Sequence, residues 1–256
     1  MRCDLFLSEK GYVKSRSKAR ELIDSRAVII NGTVVKKPSE PIEENADNTV
    51  EILNALPFVS RGGIKLEYAL EQFGISVEGL SALDVGASTG GFTDCLLRRG
   101  AARVIAVDSG ENQLDPSLKS DTRVTCVEKY NARYMKREDF SFCPNIAVMD
   151  VSFISQTLIL PALSHVLDDG AVLVSLIKPQ FEVGRSAVGK KGIVKNEKER
   201  QNAVRNVIAC AQANNLGCFA LTRSPIEGGD GNVEFLAAFR KGASCEVDSS
   251  DLSLEG

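Results

Sequence analysis

Residues 83–92 read LDVGASTGGF, a glycine-rich turn that follows a short apolar run and leads into TDCLLRRG. A strand that feeds a glycine turn and then a helix is the setting of a nucleotide-binding loop in an α/β sheet, and no other feature constrains the fold as much. Around it the chain alternates. Strand candidates fall at residues 82–85, 104–107, 124–127, 146–149, 171–177, 219–222 and 235–239, with helical patterns between most of them. This alternation predicts a mostly parallel seven-stranded, Rossmann-like α/β sheet covered on both faces, with a ligand in the crevice beyond the strands' carboxyl ends. Ahead of the first strand, IKLEYALEQFGI sets Leu66, Ala69, Leu70 and Phe73 at helical spacing and leaves Lys65 on another face.

The loop lacks the Lys-Ser/Thr of a P-loop, and Ser88 stands where G-x-G-x-x-G requires its second glycine, so a pyrophosphate is the weaker reading. Asp84 ends the first strand, and Asp108 closes the next as VIAVDSG. A carboxylate at the second position suits the two ribose hydroxyls of an adenosine, while the glycines let backbone approach an amino-acid tail. Together these point to S-adenosylmethionine, held by Asp84, Gly86, Ala87, Ser88, Thr89, Gly90, Gly91, Phe92 and Asp108.

The net charge of −3 hides a basic block. Residues 10–37 carry eight lysines and arginines against Glu21 and Asp24, which suggests a polyanionic partner. The same stretch reads as a helix over residues 17–24, with Ala19, Leu22 and Ile23 on its buried face. A hairpin follows in VIINGTVV, turned by Asn31-Gly32, and a last strand is expected at 49–53. From RCDLFLSEKGYVKSRSKARELIDSRAVIINGTVVKKPSEPI the first 55 or so residues resemble the S4 RNA-binding domain, a small α+β unit. That resemblance makes Lys14, Arg16, Lys18 and Arg20 the expected phosphate contacts.

Four polar residues stand where an unused polar group is costly: Asp150 and Lys178 at strand ends, Glu234 at the start of the last strand, and Lys65 ahead of the first. In this topology they converge on one crevice. The motifs VSRGGIKLEYAL, LDVGASTGGFTDCLL, VIAVDSG, MDVSFIS, LIKPQFEVG and NVEF resemble, in order and over nearly the whole chain, the TlyA-type (haemolysin A) family. Its members join an S4 domain to an FtsJ/RrmJ-like methyltransferase of class I fold. The resemblance implies 2′-O-methylation of ribose, with cytidines of small- or large-subunit ribosomal RNA as targets. It also implies the catalytic set Lys65, Asp150, Lys178 and Glu234, and places Asn131 beside the adenine. In this reading Lys178 is the general base, with Lys65 tuning it by charge, Asp150 orienting it, and Glu234 holding Lys65 or the ribose. Arg61, and Arg185, Lys190 and Lys191 in the loop after the Lys178 strand, are further expected RNA contacts, with Lys195 beside them.

The expected division is an S4-like domain over 1–57, a linker over 58–63, the methyltransferase domain over 64–242 and a disordered acidic tail over 243–256. Seven scattered cysteines without a C-x-x-C pair argue for reduced thiols and against a zinc site, and the single histidine, His165, has no partner pattern. With no apolar run long enough to span a bilayer and no secretion signal, the sequence reads as cytoplasmic, with ribosomal RNA or ribosomal subunits as partners and neither a membrane nor a metal.

Overall fold

The computed structural model describes residues 1–24, 27–35, 37–43, 48–52, 57–184, 187–189, 192–228 and 231–247. They form two compact units, Met1–Arg61 and Gly62–Gly256.

In the first unit α1 (Cys3–Glu9) and α2 (Arg16–Asp24) precede β1 (Val28–Ile30), β2 (Thr33–Val34) and β3 (Val50–Ile52), which pair antiparallel in the order β2-β1-β3. Asn31 and Gly32 both take positive φ, 52° and 74°, the geometry of the tight turn that suits the twist of a hairpin. Cys3, Phe6, Leu7, Ala19, Leu22, Ile23, Val28 and Ile30 close a small core. A carboxylate is buried beside it: Asp4 is fully covered and accepts hydrogen bonds from Arg2, Arg16 and Arg20, the Nε contacts being 3.0, 2.9 and 2.9 Å.

The boundary falls at Arg61, the first residue of α3 (Arg61–Gln72), and the second unit then runs through β4 (Ser81–Val85), α4 (Gly91–Arg98), β5 (Arg103–Val107), α5 (Pro116–Lys119), β6 (Val124–Val127) and β7 (Ile146–Met149). It continues through α6 (Leu160–Val166), β8 (Val172–Ile177), α7 (Pro179–Glu182), α8 (Glu197–Ala213), β9 (Leu216–Arg223) and β10 (Phe235–Lys241). All seven strand positions read from the sequence are present, in the order β6-β5-β4-β7-β8-β10-β9. Neighbours from β6 to β8 are parallel, and β10 runs antiparallel to both β8 and β9. Every residue of β4 and of β7 is buried, as expected for central strands covered on both faces. The strand order reverses between β4 and β7, and the crevice above their carboxyl ends is the place such a sheet offers to a ligand.

Two boundary expectations need correction. The stretch taken as a linker is helical from Arg61, where α3 begins. The tail is not free from Ala243: Glu246 and Val247 donate backbone N–H groups to Cys218 O at 2.8 and 3.2 Å, and Cys245 and Val247 pack on the main core. Those bonds give the segment a partner on β9 that its composition does not reveal. Residues 248–256 lie outside the described residues.

Candidate active site

A cavity of about 780 Å³ opens where β4, β5 and β7 end, lined among others by Gly86, Ser88, Asp108, Gln113, Asn131, Asp150, Ser152 and Phe153. The loop after β4 shapes it. Gly86 has φ +84°, and a Cβ there would lie 2.5 Å from the Asp150 carbonyl oxygen, so only glycine lets the two strand ends approach. Ser88, where a dinucleotide loop carries glycine, also sits at positive φ, 47°. Its N–H donates to Asp108 Oδ2 at 2.8 Å, and the Gly110 N–H donates to Asp108 Oδ1 at 2.7 Å. Both oxygens of Asp108 are thereby aimed, and each keeps capacity for a further donor.

Behind this loop Asp84 is fully buried. Its Oδ2 accepts from Thr93 Oγ1 at 2.7 Å, while Oδ1 has no hydrogen-bond partner among the described residues. Burial pushes the Asp84 carboxyl up to about 7; Thr93 opposes the shift, and the charges of Asp150 and Asp108 add to it.

The other four candidates form two ion pairs. Lys65 Nζ meets Glu234 Oε2 at 2.5 Å, both side chains almost wholly buried. Lys178 Nζ meets Asp150 Oδ1 at 2.6 Å and donates to Ser152 Oγ at 2.8 Å. Strand register brings the pairs to adjoining positions: Phe235 pairs with Ile177, so Glu234 and Lys178 continue that ladder at the strand ends. Gln180 joins them, its Nε2 lying 3.5 Å from Glu234 Oε1 while its own Oε1 is buried without a partner among the described residues.

Of the donor residues expected from sequence, Gly86, Ser88, Asp108 and Asn131 line the cavity. Asp84, Ala87, Thr89, Gly90, Gly91 and Phe92 do not. Gly90 caps α4 at φ 94°, Gly91 and Phe92 begin that helix with Phe92 buried, and the Thr89 carbonyl is taken by the Asp115 N–H. The second half of the loop is thus spent on starting a helix. Sequence reasoning missed Ser152, Gln180, Thr93 and Gln113, polar residues whose roles depend on strands remote in the chain. It also passed over Phe153, which is 92% exposed at φ 64° and packs its ring 5.2 Å from that of Phe181.

Among the basic residues, Arg16 and Arg20 give their Nε donors to Asp4, which turns two expected phosphate contacts into part of a buried carboxylate cluster with half-exposed outer faces. Lys18 Nζ is shared between Glu21 and the Val59 carbonyl, and Lys14 is exposed. The Arg61 N–H donates to Glu21 Oε1. Lys195 is exposed, and Arg185, Lys190 and Lys191 lie outside the described residues. Among the described residues no group of three or more His, Cys, Asp or Glu is placed to hold a metal ion, and no helix is long and apolar enough to cross a membrane.

The family model of FtsJ-like methyltransferases matches residues 58–241, and that of the S4 domain matches residues 1–48. The chain belongs to the FtsJ-like methyltransferase family. YqxC of Bacillus subtilis, described as an rRNA methyltransferase, is 46% identical over 92% of this chain and 84% of its own length. The 16S/23S rRNA (cytidine-2′-O)-methyltransferase TlyA of Mycobacterium tuberculosis is 41% identical over 93% of this chain and 89% of its own. A solved structure from Streptococcus thermophilus, described as a hemolysin, aligns with a TM-score of 0.77 at 42% identity, covering 96% of this chain and 90% of that one. Of the four residues in the two ion pairs, Asp150 lines the cavity above β4 and β5.

Proposed function

We propose that the protein transfers a methyl group from S-adenosylmethionine to the ribose 2′-hydroxyl of a cytidine in ribosomal RNA, with the S4 unit gripping the RNA. The observation that carries this reading is the pair Lys178–Asp150, whose Asp150 lines the cavity, with Glu234 of the Lys65–Glu234 pair at the ladder position next to Lys178. Relatives named for rRNA methylation support the substrate class.

The donor fits the residues present. A buried carboxylate oxygen without a partner, Asp84 Oδ1, suits the ammonium of the amino-acid tail, and the two aimed oxygens of Asp108 suit the ribose hydroxyls. When bound, the sulfonium supplies an already activated methyl group. What remains for the chain is to place a weak nucleophile and take its proton. Lys178, after its ammonium has released a proton to solvent, takes the proton of the 2′-hydroxyl on its free amine as the oxygen attacks; Asp150 and Ser152 hold its Nζ, and the Lys65–Glu234 pair fixes the ribose. Phe153, exposed and backed by Phe181, offers a face on which an unstacked base rests.

Tritium transfer from labelled S-adenosylmethionine to separated ribosomal subunits, taken from cells lacking the gene, tests the proposal. Label in RNA that survives alkaline hydrolysis as a protected dinucleotide, absent with Lys178→Ala although the donor still binds, is the expected result. No label on either subunit removes ribosomal RNA as substrate. Substantial turnover by the variant removes Lys178 as base.

A further inference from the structure

Gln113 has no part in the roles above, yet it lines the cavity beside Asp108. Ser88 Oγ donates to its Oε1 at 3.2 Å, which stretches the amide from the segment after β5 to the glycine loop after β4. That bond turns Nε2 the other way. A Cβ built on Gly110 would fall 1.9 Å from Gln113 Nε2 and 3.1 Å from Asp108 Oδ1, and since both distances share one origin, Nε2 lies within about 5 Å of that oxygen.

The chemistry of a vicinal diol asks for such a donor. Asp108 is an acceptor, aimed by the Ser88 and Gly110 N–H groups, and it takes the protons of two hydroxyls. Each hydroxyl oxygen then keeps lone pairs open to a further donor. A neutral amide N–H beside the carboxylate meets that need without cancelling the carboxylate's charge.

We infer that Gln113 is a donor-binding residue that completes a diol clamp: Asp108 accepts from the ribose hydroxyls of the adenosine, and Gln113 Nε2 donates to one of their oxygens. The inference rests on the cavity being the S-adenosylmethionine site. It gives Gly110 a role as well. Gly110 is not held at positive φ, so alanine suits its backbone, but a methyl group there occupies the space of the Gln113 amide and must push it off the clamp.

Calorimetric titration of the full chain with S-adenosylhomocysteine tests both statements. Gln113→Ala, a change at an exposed side chain, raises Kd about three- to tenfold, the loss of one hydrogen bond. Gly110→Ala raises Kd by a similar factor, and the double variant binds no worse than Gln113→Ala, because the methyl group then displaces nothing. In turnover, the donor KM rises more than kcat falls. One of the 2′-deoxy and 3′-deoxy analogues binds wild type and Gln113→Ala equally well. Wild-type affinity in Gln113→Ala, or multiplied penalties in the double variant, overturns the clamp. Asp108→Asn separates the two levels: weak binding there with normal binding in Gln113→Ala sinks only the clamp, whereas normal binding in both sinks the donor site itself.

Discussion

In the proposed donor site, Asp84 makes donor affinity depend on pH in a direction and size that its burial dictates. In the ligand-free protein, burial holds its carboxyl at about 7, so near pH 7 about half the molecules carry it neutral. A cationic ammonium binds the ionised form, and the apparent affinity scales with the fraction ionised. Lowering the pH from 7.0 to 5.5 reduces that fraction from about one half to about 3%, which weakens donor binding roughly 15-fold. The donor's own amine, with an ordinary value near 7.7–8.0, stays charged throughout this window and adds no slope. Titration calorimetry at constant ionic strength measures the effect, and Asp84→Asn is the control: it binds more weakly at pH 7.0 and loses the slope. The sign for stability is the opposite. A carboxyl raised on folding holds its proton more tightly in the native state, so the empty protein loses stability as pH climbs from about 4 towards 7. Wild-type affinity that changes less than twofold between pH 5.5 and 7.0, or a slope that persists in Asp84→Asn, refutes the reasoning.

Glu234→Ala leaves the Lys65 ammonium buried without its partner and lowers stability by roughly 3–5 kcal/mol, read as a fall in Tm; an unchanged Tm means the pair is not energetically closed. In the S4 unit, Arg2 first, then Arg20 and Arg16, hold the Asp4 carboxyl well below the usual carboxylate range, against the opposing effect of burial. Its stabilising contribution is present above about pH 4 and is lost as pH falls through the depressed value, so Asp4→Asn costs about 2 kcal/mol at neutral pH, discounted for the half-exposed arginines, and flattens acid unfolding. Phe153→Ala lowers kcat/KM for RNA about 10- to 100-fold, the range of one lost base stack, and calorimetry finds donor affinity little changed; equal losses in both assign Phe153 to the donor pocket.

Much of the fold was legible because it is written in short-range pattern. Alternating apolar runs located all seven strands, and Asn31-Gly32 located the hairpin, since period and turn chemistry are local properties. The candidate site was legible in part. LDVGAS and the spaced acids Asp84 and Asp108 stand out in the chain, and Gly86, Ser88 and Asp108 do line the cavity. The rest of the glycine run begins α4, with Gly90 as its N-cap and Gly91 and Phe92 as its first residues. Charge counts do not see that Asp4, twelve and sixteen positions away, also bonds Arg16 and Arg20.

The sequence by itself determined the alternation of seven strands with helices along the chain, the small basic unit ahead of it and the identity of the polar residues at the strand ends, because each follows from local spacing and residue type. Only the tertiary structure decided how those residues are paired. Lys65 and Glu234 are 169 positions apart yet meet, antiparallel β10 returning beside β8 sets Glu234 next to Lys178, and Asp150 meets Lys178 because β7 lies beside β8 in parallel register. Strand order is chosen by the packing of the whole sheet, and no local window of sequence contains it.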